Sequence, residues 1–175
     1  MNETGGLVRF EPRARDKRQR DRPTGEYKAL VCGIALLGAA HGTPFEILEI
    51  WIRANLGRQW TVVNATQYIG GGEAEPAFSK LPKDFDFLGI TTAALIPACA
   101  VARDVVHGPM ATAEVLRRLR QEAPRFGDAA ALADVIVSRF AADLIGRVEA
   151  GTRLPTTMGI RPTDIDRVAA LLRSS

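Results

Sequence analysis

The chain has 175 residues, 46% hydrophobic and 25% charged, an ordinary globular composition with enough length for one domain and a real core. No apolar run approaches the ~20 residues a membrane-spanning helix needs; residues 29–40 come nearest and are broken by Gly33 and Gly38. The formal charge of +3 sits at one end: residues 1–28 carry eight bases and five acids, and the remainder balances at fifteen of each.

The opening segment, residues 1–25, holds few apolar side chains beyond Leu7, Val8 and Phe10. Ordering it would bury too little surface to offset the lost chain entropy, so a disordered basic arm is expected. The charged N-terminus is not followed by a signal-peptide core, and the expected location is cytoplasmic. Arg9, Arg13, Arg15, Lys17, Arg18, Arg20 and Arg22 are the arm's cations. Cations on a mobile segment neutralise phosphates and gain from counterion release, so nucleic acid or an acidic protein surface is the expected partner.

Residues 26–175 read as a single all-α domain, a bundle of five to seven helices. Few aromatics and many alanines favour close helix packing over a β-sandwich. Tyr27, Leu30, Val31, Ile34 and Leu37 give a first helical stripe that ends at His41-Gly42. Thr43-Pro44-Phe45-Glu46 then starts a second helix, with Thr43 as cap and Pro44 in the first position. That helix is apolar on most sides, belongs deep in the core, and stops at Gly57.

Residues 58–69 are ambiguous: Trp60 to Ile69 is rich in strand formers but does not alternate, so one short strand or a helix fits. Gly70-Gly71-Gly72 ends the segment and lacks the Gly-Lys-Ser/Thr of a phosphate loop. Residues 73–89, with Pro76 and Pro82, read as a loop with one short helical turn. Residues 90–106 are helical, kinked or begun at Pro97. Residues 110–123 form another helix, with Arg117, Arg118 and Arg120 between apolar positions.

The clearest element is residues 128–151, one long amphipathic helix expected to organise the rest. Ala133, Ile136, Val137, Phe140, Ala141, Leu144 and Val148 share a face. Leu132, Val135 and Ile145 fall outside it, which suggests a broad buried arc, and Asp128 is placed to cap the first turn. Pro162-Thr163-Asp164 opens a last helix.

Chemistry has little to work with. Both cysteines and both histidines recur in similar settings, Cys32 with His41 and Cys99 with His107, each His before a Gly. A zinc site from all four is the sharpest metalloprotein or enzyme reading. Eight residues part Cys32 from His41 and seven part Cys99 from His107, more than two helical turns each, so inert buried thiols and helix-end histidines fit better. No catalytic residue, metal or cofactor is assigned. The expected function is a non-enzymatic accessory or regulatory protein whose arm contacts nucleic acid or an acidic partner, with Arg117, Arg118 and Arg120 as a second basic patch. The alternative is a protein-only adaptor or assembly subunit, a homo- or hetero-oligomer built on the apolar helices of residues 44–56 and 90–106, with no membrane contact.

Overall fold

The computed structural model describes residues 24–82, 85–106 and 110–174, with Thr157 described by its backbone alone. Among these residues lie eight α-helices: α1 (Gly25–His41), α2 (Phe45–Leu56), α3 (Val62–Gly70), α4 (Glu75–Ser79), α5 (Thr92–Val105), α6 (Thr112–Gln121), α7 (Asp128–Glu149) and α8 (Pro162–Arg173). Two short antiparallel strands, β1 (Asp86–Phe87) and β2 (Ile90–Thr91), make a hairpin with Asp86 opposite Thr91. The all-α class is therefore correct, with one helix more than the range read from periodicity.

The centre of the molecule is α1 rather than the long helix. From Tyr27 to Ala40 every residue of α1 is buried except Lys28. A helix that is apolar all round must be enclosed by others, and α2, α3, α4, α5, α6 and α7 all pack on it. Helix α7 is its most extensive neighbour, laying Ala133, Val137, Phe140, Ala141 and Leu144 into the core. Glycines let the backbones approach: a Cβ on Gly33 would meet Leu95 Cδ2 at 2.9 Å.

Polar ties fix the packing. Thr24 caps α1 by accepting from the Tyr27 N–H at 3.1 Å. Trp51 of α2 donates its indole N–H to the Val31 carbonyl at 3.0 Å and stands edge-on to Phe140, centroids 5.1 Å apart. Asn55 accepts from the Tyr27 hydroxyl at 2.8 Å and donates to the Trp51 carbonyl at 2.7 Å.

Three local expectations are corrected. Residues 62–70 are helix, not strand, because Thr61 and Asn64 form a capping box. Pro44, not Thr43, is the cap residue of α2; the Thr43 hydroxyl, fully buried, donates instead to Asp134 at 2.5 Å. Gly127 precedes α7 as its cap, and Asp128 is the first helical residue, where an acid still suits the dipole.

Candidate functional site

Arg9, Arg13, Arg15, Lys17, Arg18, Arg20 and Arg22 lie outside the described residues. Among the described residues, Arg53, Arg103, Arg117, Arg118, Arg125 and Arg161 have a carboxylate partner. Arg53 pairs with Glu49 at 3.1 Å, Arg125 with Glu122 at 3.3 Å and Arg161 with Asp164 at 3.3 Å, and Arg103 pairs closely with Glu75.

The expected second basic patch carries an acid of its own. Arg117 and Arg118 both donate to Glu114, at 2.5 and 2.9 Å, and hold its carboxyl down at about 2. Arg120 points another way and donates to the Thr43 carbonyl at 3.4 Å. The three are neighbours on one helix, but two share one acid and the third braces the α1–α2 turn.

The cysteine and histidine pairs are not assembled among the described residues. Cys32 is wholly buried in α1, and burial pushes its thiol far up. His41, at the other end of the helix, is half exposed and lies 3.9 Å from Asp134. Cys99, also buried, donates to the Ile69 carbonyl at 3.4 Å and accepts from Arg103 at 3.4 Å. Desolvation raises its pKa against the lowering effect of Arg103, so the thiol is a poor nucleophile. His107 lies outside the described residues. No group of three or more metal-capable side chains occurs among the described residues.

The Gly70-Gly71-Gly72 turn has a packing explanation. A Cβ on Gly70 would meet the Ala102 carbonyl oxygen at 3.1 Å, so the glycine lets α3 end against α5. A 3-10 turn, Thr156–Met158, ending at Gly159 leads into α8.

One crevice, about 90 Å³, opens between α2 and α8 and is lined by Glu46, Glu49, Arg53, Arg161, Asp164 and Arg167 together with Phe45, Ile50 and Ile160. Its three acids and three bases balance. Burial pushes the Glu49 carboxyl up, against the hydrogen bond from the Val62 N–H and the charge of Arg53. Asp164 is also desolvated, but bonds from Arg161 outweigh this and lower its pKa. The Arg53–Glu49 and Arg161–Asp164 pairs line its walls.

Apolar exposure is more telling. Leu88 is 57% exposed, Val135 50% and Leu132 39%. Leu88 sits at the tip of the β1–β2 hairpin with φ of 53°. Gly89 beside it touches Leu132: a Cβ there would lie 3.3 Å from Leu132 Cδ1. The hairpin tip and the outer face of α7 are thus neighbours. Periodicity did place Leu132 and Val135 off the buried stripe of α7; reading them as a widened buried arc was wrong, since only Ile145 of the three is buried. No helix of the described residues is long and apolar enough to cross a membrane.

No protein-family model matches the chain, and no curated protein or solved structure matches it.

Proposed function

We propose that the chain is a non-enzymatic accessory protein of the cytoplasm whose helical body, residues 26–175, is a charge-balanced carrier and whose basic segment contacts nucleic acid or an acidic partner surface. The observation that carries this is the division of charge. Residues 1–28 hold the whole surplus, eight bases against five acids, while the rest of the chain balances at fifteen of each. A body with equal numbers of acids and bases offers a polyanion no net charge to neutralise, whereas the basic segment does. The test is a salt titration of binding to a random-sequence duplex. Binding that weakens steeply with salt supports the reading, and salt-independent binding or none rejects it.

A second reading, an assembly subunit, draws on the exposed Leu88, Leu132 and Val135. Of the two apolar helices expected at the interface, α2 buries Ile47, Leu48, Trp51 and Ile52 and α5 buries Leu95, Ala98, Val101 and Ala102 inside the chain's own core. The outer face of α7 takes that place. Cross-linking in cells, followed by mass measurement, tests it; a Val135→Asp chain that keeps every cross-linked species would reject it.

A further inference from the structure

The crevice between α2 and α8 is built from two polar helix faces. Glu46, Glu49 and Arg53 recur three and four residues apart along α2, and Arg161, Asp164 and Arg167 recur every third residue from the cap of α8. Four of these six charges are paired with each other. Glu49 uses both carboxylate oxygens: one accepts from Arg53 at 3.1 Å, the other from the Val62 N–H at 2.7 Å. Asp164 also uses both, accepting from two guanidinium nitrogens of Arg161 at 3.3 Å each and from its backbone N–H at 2.9 Å. Glu46 and Arg167 remain, one acid and one base. Among the described residues neither has an ion pair or a side-chain hydrogen bond.

Those two groups set the charge a ligand must carry. An anion alone would leave Glu46 unanswered and a cation alone would leave Arg167 so, in a crevice whose acids and bases cancel. A molecule with one charge of each sign and no net charge answers both. The walls strengthen such contacts: the Glu49 and Arg53 side chains are only 14% and 21% exposed, and charges sheltered from bulk water are screened less. Size and apolar lining narrow the class further. About 90 Å³ takes on the order of six to eight water-sized groups, enough for an ammonium, a carboxylate and a short side chain. Ile50, Ile160 and the partly exposed Phe45 give that side chain an apolar wall.

We infer that the α2–α8 crevice binds a small zwitterionic α-amino acid of the size of glycine, alanine or serine, its ammonium on Glu46 and its carboxylate on Arg167. The site is separate from the basic segment, and neither reading depends on the other. So few ligand atoms give an affinity of about millimolar order.

The test is an NMR titration of the isotope-labelled full chain, followed by its backbone amides, with L-alanine as the probe and glycine and L-serine beside it. Saturable shifts centred on residues 45–53 and 160–167 are expected. Alanine amide, which lacks the carboxylate, and N-acetylalanine, which lacks the ammonium, should each bind at least about tenfold more weakly than L-alanine. Glu46→Gln and Arg167→Gln should each weaken L-alanine binding at least about tenfold and leave the thermal melt unchanged, because neither side chain has a partner among the described residues. The analogue series needs no substitution, so it decides the question even where a variant disturbs the fold. The proposal is overturned by the absence of saturable shifts with all three amino acids, by analogues that bind as L-alanine does, or by two variants that keep the native affinity.

Discussion

Leu88 is the residue least at ease in the structure. It and Gly89 both have positive φ, 53° and 96°, in a two-residue connection between paired strands. Such turns take Asn-Gly by preference, because a left-handed backbone crowds the Cβ of most L-residues at about 1–2 kcal/mol. Leu88→Asn should therefore stabilise the chain by about 1 kcal/mol, read as a raised urea midpoint at unchanged slope. An unchanged or lowered midpoint would mean the leucine is favoured by contacts within the chain itself. Thr43 is the opposite case, fully buried with its hydroxyl on Asp134 at 2.5 Å and its Oγ1 3.0 Å from where a Gly38 Cβ would stand. Thr43→Val keeps the shape and removes a charge-assisted bond, so a loss of about 1–2 kcal/mol is expected in the same measurement. Neither residue's role was legible in the sequence. Thr-Pro before a helix does signal a cap, but the tertiary bond to a residue ninety-one positions away outweighed the local one.

Helices were legible where period and punctuation agreed. The long helix α7, the start near Pro44, the stop at Gly57 and the opening at Pro162 all stand where stripes, prolines and glycines put them. Residues 62–70 were not, because β-branched and aromatic residues say strand locally while the Thr61–Asn64 box says helix. The triglycine after it needed the α5 backbone in view before its purpose was clear. On α6 the charge pattern was visible but its use was not: Glu114 at three and four residues from Arg117 and Arg118 draws both inward. That pairing sets an acid dependence. The Glu114 carboxyl sits near 2 in the fold against an ordinary 4.5, so the fold favours its ionised form. Its stabilising contribution is present above about pH 4.5 and is lost as pH falls toward 2. Denaturation midpoints measured across that window should fall, and Glu114→Gln should flatten part of the slope. A variant with the wild-type slope would show the pairing to be worth nothing in solution.

At the scale of the molecule, the sequence held the charge division but not the place of the centre. An apolar run interrupted by glycines looks weaker than a long clean amphipathic helix, yet it is the glycine-bearing α1 that six helices enclose. Amphipathicity marks a helix with a solvent face, so the most patterned element belongs at the surface, and α7 does present one. One candidate interaction surface follows from that arrangement, the outer α7 stripe with the Leu88 tip, on a body whose acids and bases balance in number. The basic segment is left as the charge surplus.

The measurement closest to that claim compares the full chain with a full-length variant carrying Arg13→Gln, Arg15→Gln, Lys17→Gln, Arg18→Gln, Arg20→Gln and Arg22→Gln, each titrated against duplex over a range of salt. The native chain should lose affinity with a log–log slope of about −3 or steeper, as several counterions are released, and the variant should bind at least about tenfold more weakly at low salt with a flatter slope. Equal affinities and equal slopes for the two chains would place polyanion recognition on the helical body and contradict the account.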